Sequence, residues 1–434
     1  MKYYSTNKKV TGVSLQDAVV KGLAEDKGLF MPDKIKALPQ SFFDTIENLS
    51  FQEIAYAVAD AFFGEDVEAA ALKEIVYDTL NFDVPLVHVN DNIYSLELYH
   101  GPTLAFKDVG GRFMSRLLGY FIQKQGDDTK VNVLVATSGD TGSAVANGFL
   151  GVKGIQVYVL YPKGLVSPIQ ECQFTTLGQN ITALEVDGTF DDCQALVKSA
   201  FMDEELNAKL KLTSANSINV ARFLPQSFYY FYAYAQLKKL GKADNVVMCV
   251  PSGNFGNITA GLFGKRMGLP VKRFIAANNR NDIFLQYLQT GDYKPRPSVS
   301  TIANAMDVGD PSNFARVLDL YGGSHTAISA EISGVSYNDE QIAETLNSCF
   351  AATDYLLDPH GAVGYRALQE KLEENETGVF METAHPAKFL ETVEKIISSK
   401  VEIPQKLQEF MKGTKQSLEL SKDFETFKKY LMSL

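Results

Sequence analysis

The sequence predicts an α/β protein built on open, mostly parallel sheets and preceded by a helical N-terminal region. Three observations carry that prediction. Short apolar segments rich in β-branched residues recur from about Val84 onward. Longer helical patterns separate them. The strand segments are nearly unbroken in apolar character, as strands covered on both faces must be.

The elements follow in order. The stretch to about Asp83 reads as helical. Ser14 is an N-cap for a helix through Leu15, Val19, Val20 and Leu23 that ends near Gly28, where a left-handed residue costs little. Helical patterns at Phe51–Phe62 and Val67–Leu80 follow, set apart by the Met31-Pro32-Asp33 turn and Leu38-Pro39. Strands are then expected at Ile93–Leu98, Val131–Ala136, Ile155–Tyr161, Ile181–Val186, Val246–Val250, Arg273–Ala277 and Gly378–Glu382. Helices are expected between them, at Gly111–Gln125, Thr141–Leu150, Val220–Leu240, Asn338–Phe350 and Ala362–Glu373. Residues after Lys400 are polar and charged and read as an exposed tail with a short terminal helix. Three parts result: a helical N-terminal domain (1–83), a catalytic region (84–400) and a C-terminal tail (401–434).

Composition narrows the class. Among 434 residues, 45% are hydrophobic and 21% charged, which supports a sizeable core and excludes a largely disordered chain. The formal net charge of −11 argues against a nucleic-acid partner, which needs clustered cations facing phosphates. No apolar run reaches the ~20 residues of a membrane span, and the N-terminus does not read as a signal peptide. Cys172, Cys193, Cys249 and Cys349 form no CxxC pair, so reduced, mostly buried thiols in a cytoplasmic protein are expected. The five histidines have no helical metal spacing, so no metal is expected.

Three loops at strand–helix junctions carry the chemistry. The first, Gly101–Phe113, places Lys107 where open α/β sheets bind ligands. Desolvation between Phe106 and Val109 would lower its amine pKa and favour Schiff-base formation, although an exposed lysine at a helix start is the commoner arrangement. The second, Ala136–Gly142, offers hydroxyls and glycines at a helix N-terminus, suited either to an anion or to simple capping. The third, Val250–Asn257, has two glycines and two asparagines that let consecutive N–H groups converge on a phosphate. It matches neither GxxxxGK[ST] nor GxGxxG, which weakens a nucleotide reading. Together the loops supply a lysine, an anion cup and a carboxylate site.

With these loops in place, the sequence resembles threonine synthases of the bacterial and fungal type, within the fold-type II group of pyridoxal-phosphate enzymes. The resemblance is carried by Ala105-Phe106-Lys107-Asp108 with Gly110-Gly111-Arg112-Phe113-Met114, by Ala136–Gly142 and by Ser214-Ala215-Asn216-Ser217-Ile218-Asn219. Pro251–Asn257 and Glu382-Thr383-Ala384-His385-Pro386-Ala387-Lys388-Phe389 complete it. It runs from Tyr3 to about Phe389.

The resemblance implies a tryptophan-synthase-β-like fold with two α/β subdomains and pyridoxal 5′-phosphate in the cleft between them. It implies a carbon–oxygen lyase that converts O-phospho-L-homoserine and water to L-threonine and phosphate, as a monomer or homodimer. Lys107 would hold the cofactor covalently and shuttle protons. Gly253, Asn254, Phe255, Gly256 and Asn257 would hold its phosphate, and the Thr383 hydroxyl would meet its ring nitrogen. Ser138 and Thr141 would contact substrate, and Ser217 and Arg222 would take the leaving phosphate. Asp140 stands where many fold-type II relatives carry an Asn facing the cofactor's phenolic oxygen, which leaves its role open, since a carboxylate there needs a shared proton or another rotamer. Arg112 and Lys388 are further candidates for the leaving phosphate, although a surface salt bridge is the commoner arrangement for each, and His385 reads as a hydrogen-bonding structural residue. Rival readings are a threonine or serine dehydratase, a phospholyase yielding 2-oxobutyrate and ammonia, and a cofactor-binding homologue without activity.

Overall fold

A computed structural model describes residues 1–126 and 130–434. All seven expected strands form, with bounds that differ from expectation by at most one residue. The chain divides into two compact units, each assembled from separated stretches. One unit comprises residues 1–31, 107–222 and 403–434, and the other comprises 32–106 and 223–402.

The first unit holds a five-stranded sheet in the order Leu418–Ser421, Ile181–Asp187, Ile155–Pro162, Val131–Ala136, Lys211–Ser214. Every pairing in it is parallel. Leu134, Tyr158, Leu160, Leu184 and Val186 form its core with Leu196, Phe427 and Leu431. The last two lie on the helix Phe424–Met432. The C-terminal stretch is therefore not an exposed tail. Its strand Leu418–Ser421 pairs with Ile181–Asp187, and its helix buries Phe427 completely. Burying such a ring stabilises by about 1.5–3 kcal/mol. The polar residues that suggested a tail are the outward half of these amphipathic elements.

The second unit holds a six-stranded sheet in the order Ile332–Ser336, Arg273–Asn278, Val246–Pro251, Thr377–Glu382, Ile93–Glu97, Leu86–Asn90. All pairings are parallel except that of the two N-terminal strands, which form an antiparallel edge. Val247, Cys249, Ile275 and Phe380 pack with Tyr365 and Leu368 of the helix Pro359–Lys371.

Some helical expectations need correction. The first helix ends at Lys21 with Gly22 as its C-cap, not near Gly28, and the helix expected from Gly111 begins at Lys107. The N-terminal region is not purely helical, because Lys2–Ser5, Val13–Ser14 and Phe30–Pro32 form a small sheet. Strands of two to four residues are too short for alternation to register. The pattern Val220–Leu240 is broken into Val220–Phe223, a 3-10 turn Leu224–Gln226 and Ser227–Lys239. Pro225 lacks the N–H and carries the ring that would clash inside a helix.

Candidate active site

In the second unit the apolar strand Val246–Pro251 ends in the loop that leads to the helix Gly256–Arg266. Phe255 caps this helix in the left-handed region at φ 64°, its ring 4.8 Å from that of Phe284. The first amides of the helix have no acceptor within it and carry the positive end of its dipole. Gly253 admits a close neighbour, since a Cβ there would lie 3.0 Å from the Ala305 oxygen and the Met306 Cα. Asn254 is anchored from behind. Its carbonyl accepts from the Asn313 amide at 3.1 Å, and its Oδ1 from the Ser312 hydroxyl at 3.1 Å.

Asn257 is the informative member of this loop. It is buried, its Oδ1 accepts from the Tyr230 hydroxyl at 2.7 Å, and its Nδ2 has no hydrogen-bond partner among the described residues. A buried N–H donor without an acceptor costs about 1–3 kcal/mol. Together with the helix amides, this donor set suits a phosphate group.

On the neighbouring strand, Thr377–Glu382, the chain passes into Thr383-Ala384-His385. This turn is bonded to the segment before Lys107. The Phe106 amide donates to the Thr383 carbonyl at 2.8 Å, and the His385 amide to the Leu104 carbonyl at 3.1 Å. Tyr229 adds a hydrogen bond from its hydroxyl to the Phe106 carbonyl. His385 Nδ1 accepts from the Ala387 amide at 3.1 Å, and burial lowers its pKa to about 4, so it caps this turn as a neutral ring. Lys388 departs from the surface expectation. It is fully buried and donates to the Thr103 carbonyl at 2.8 Å.

Glu382, one residue before Thr383, was not singled out from sequence. Its side chain is fully buried, Oε1 accepts from the Asp358 amide at 2.6 Å, and Oε2 has no partner among the described residues. Burial first, and the Asp358 carboxylate second, push its pKa well above the usual carboxylate range. A glutamate closing the apolar run Gly378–Met381 was the available signal.

The first unit carries the remaining predicted residues. Lys107 is half-buried and opens the helix Lys107–Gln125. Its carbonyl accepts from Arg222 Nη1 at 3.0 Å, while Arg222 Nε donates to the Ala215 carbonyl at 2.7 Å. Arg222 is buried against Gly110 and Gly111, where a Cβ would sit 3.0 and 3.2 Å from Nη1. The Gly-Gly pair is thus a close-approach site for this guanidinium, two of whose donors already serve carbonyls. Asn216 Nδ2 donates to the Ala136 carbonyl at 3.1 Å, tying the segment that bears half-buried Ser217 to the end of the strand Val131–Ala136.

The loop after that strand is organised by Thr137. Its Oγ1 accepts from the amides of Gly139 at 2.9 Å and Gly142 at 2.8 Å. Ser138 and Thr141 are half-buried beside it, and Asp140 is buried. Gly139 lies at φ +144°, with the Gln170 side chain where its Cβ would be. Gln170 was missed from sequence because it belongs to a separate helix, Pro168–Thr175.

Residues 81–383 match the family model for pyridoxal-phosphate dependent enzymes. With parallel sheets ending in glycine-rich and lysine-bearing loops, this sets the class: a fold-type II pyridoxal-phosphate-dependent enzyme. Residues 2–80 match the threonine synthase N terminus and 361–431 the threonine synthase C-terminal region. The chain belongs to the threonine synthase family. It is 44% identical to the threonine synthase of Haemophilus influenzae over 432 residues and 42% identical to that of Escherichia coli over 433, each match covering 100% of both chains. The crystal structure of the Escherichia coli threonine synthase superposes with a TM-score of 0.93, covering 100% of both chains at 42% identity. A pyridoxal-phosphate-bound threonine synthase from Brucella melitensis superposes equally well at 34% identity, covering 100% of this chain and 99% of the other. Maize serine racemase, at 14% identity and a TM-score of 0.55 over 79% of this chain and 97% of its own, shares the fold.

Proposed function

We propose that this chain converts O-phospho-L-homoserine and water to L-threonine and inorganic phosphate, the closing step of threonine biosynthesis, in the cytoplasm. The observation that carries this reading is kinship with threonine synthases over the full length of both chains, at 42–44% identity. The described residues contain no helix long and apolar enough to cross a membrane. The partner is a small phosphorylated amino acid, the net charge of −11 disfavours nucleic acid, and the active form is a monomer or homodimer.

Bound pyridoxal phosphate supplies an electron sink for carbanion chemistry on the amino acid. Gly253, Asn254, Phe255, Gly256 and Asn257 hold its phosphate, in keeping with the unpartnered Asn257 donor. Thr383 offers the ring nitrogen a neutral hydroxyl, and a neutral partner there tempers the sink and disfavours side reactions. Asp140 would meet the cofactor at its phenolic oxygen.

Lys107 Nζ would hold the cofactor covalently and, as a free amine with substrate bound, would take the α-proton, hand it on, and then be free to take a β-proton of the substrate. Ser138 and Thr141 orient the amino acid, and Ser217 and Arg222 hold the phosphate that leaves from the γ-carbon. A proton returned to the γ-carbon, water added at the β-carbon and a proton restored at the α-carbon would complete threonine. In this reading 84–400 carries the chemistry, flanked by 1–83 and 401–434.

Product analysis with O-phospho-L-homoserine tests the proposal. Equal amounts of threonine and phosphate are expected. Formation of 2-oxobutyrate and ammonia would replace it with a phospholyase, and cofactor binding without turnover would leave a binding protein.

A further inference from the structure

The buried face behind the phosphate loop carries a hydroxyl that the proposed chemistry does not use. Tyr230 lies on the helix Ser227–Lys239 and is fully buried. Its hydroxyl is 2.7 Å from Asn257 Oδ1 and 3.0 Å from the Asn257 carbonyl. That carbonyl belongs to the helix Gly256–Arg266, where the amide four residues on supplies its regular donor. Oδ1 has the shorter contact and no such donor, so the hydroxyl hydrogen belongs there. Burial raises the Tyr230 pKa well above its ordinary value, which keeps that hydrogen in place at any working pH.

The ring is as firmly seated as the hydroxyl. Gly261 is one helical turn beyond Asn257 on the same face. A Cβ at Gly261 would meet Tyr230 Cε1 at 2.6 Å and Cζ at 2.7 Å. The Phe274 ring crowds the same position, its Cε1 2.8 Å from that Cβ and its centroid 6.1 Å from that of Tyr230. Ring and helix therefore interlock through a missing side chain.

An asparagine amide has two orientations, and only one presents its N–H groups to an anion. We infer that Tyr230 is a positioning residue for the phosphate cup, donating to Asn257 Oδ1 so that the unpartnered Nδ2 is directed at the anion. The donated bonds run in one direction, from Tyr230 to Oδ1 and from Nδ2 to phosphate, so each polarises the next. This inference rests on the reading of Gly253–Asn257 as a phosphate cup.

The test compares two probes on the apoenzyme, pyridoxal phosphate and pyridoxal, which differ only in the phosphate. Dissociation constants are read from absorbance. Tyr230→Phe removes one oxygen and keeps the ring that fills the space beside Gly261. It is expected to weaken pyridoxal phosphate about tenfold, as loss of one buried hydrogen bond would, and to leave pyridoxal unchanged. The phosphorus resonance of the bound cofactor should shift as well. Asn257→Asp keeps an acceptor for Tyr230 but has no donor for the anion, and should reduce the preference for the phosphorylated probe further. If both variants keep the wild-type preference, the cup reading itself is wrong. If Asn257→Asp loses the preference while Tyr230→Phe keeps it, or if Tyr230→Phe weakens both probes equally, the role of Tyr230 is overturned and the cup stands.

Discussion

Gln170 Nε2 donates to Asp140 Oδ1 at 2.8 Å, with both side chains buried. The amide has a defined orientation, because its Oε1 accepts from the Ser167 hydroxyl at 3.0 Å. Ser167 is in turn the N-cap of the helix that carries Gln170. A helix cap is thus linked, through one glutamine, to the Asp140 carboxyl. Gly139 makes the arrangement possible, since any side chain there would occupy the glutamine's place.

Gln170→Glu should therefore disturb the site more than Gln170→Ala. The glutamate would set a second buried carboxyl within hydrogen-bond distance of Asp140, and one of the two would have to stay protonated. The expected outcome is a new ionisation in the pH titration of the cofactor's absorbance, together with a loss of kcat/KM of about tenfold or more. Gln170→Ala should lower activity without the added ionisation. Identical pH titrations for the two variants would show that Gln170 does not act on Asp140.

Arg222 combines two demands that mutation can separate. Its Nε and Nη1 serve the carbonyls of Ala215 and Lys107, and the proposed mechanism asks it to hold a leaving phosphate as well. Arg222→Ala is expected to lower the free energy of unfolding by about 3 kcal/mol, from two lost charge-assisted bonds to buried carbonyls. It should also raise the inhibition constant of inorganic phosphate. Lower stability with unchanged phosphate inhibition would reduce Arg222 to a clamp on the lysine loop. Wild-type kcat/KM for phosphohomoserine in this variant would remove it from the mechanism.

The strand–helix rhythm was legible because period and composition are local properties. The expected bounds of Val131–Ala136 match the observed ones, and the other six strands differ from expectation by one residue at most. Leu418–Ser421 was missed for the opposite reason. Three of its four residues are exposed, and only pairing with Ile181–Asp187 defines it as a strand. Lys388 was misread because a lysine's ordinary environment is water, and a carbonyl acceptor 285 positions away leaves no local trace. The loop Val250–Asn257 could be seen in its glycines and asparagines, whereas Tyr230 and Gln170 meet their partners only through tertiary packing.

The neutral His385 ring gives stability a defined dependence on pH. Burial is the main cause of its low pKa, with His100 and Lys388 also lowering it and Glu97 and Asp358 opposing them. The folded value of about 4 lies below the 6.5 of the unfolded chain. Between these values the unfolded state binds more protons, so stability falls as pH drops from 6.5 towards 4 and is fully present above 6.5. His385→Asn keeps an acceptor for the Ala387 amide without the titration. Denaturant midpoints measured at pH 7 and pH 5 should differ less in the variant than in the wild type. An equal difference would assign the acid sensitivity elsewhere.

Asp307 contributes with the opposite sign. Burial raises its carboxyl to about 6, although Thr301 and Asn279 hydrogen-bond to it. From 3.8 to 6 the folded state binds the extra proton, so this contribution is present at low pH and is lost as pH rises through 6. Asp307→Asn should therefore be relatively more stable at pH 8 than at pH 4, compared with wild type, as read from thermal midpoints. If the difference runs the other way, the network is holding the ionised form.

The assignment of the reactive amine has a built-in control, because the chain holds a second secluded lysine. Lys388 is fully buried and bonded to the Thr103 carbonyl, whereas Lys107 is half-buried at the first residue of its helix. Burial alone would favour Lys388 as a desolvated nucleophile. A donor committed to a carbonyl and closed off from solvent, however, has no route to an aldehyde. Borohydride treatment of the cofactor-loaded protein followed by peptide mass spectrometry should therefore place the reduced adduct on Lys107 alone. Lys107→Ala should abolish it and lower kcat by about a thousandfold or more, the scale of losing a positioned proton carrier. Lys388→Met should keep the adduct and lower stability by about 1–3 kcal/mol, since the Thr103 carbonyl loses its donor. An adduct on Lys388, or one that survives in Lys107→Ala, would move the chemistry to the other lysine.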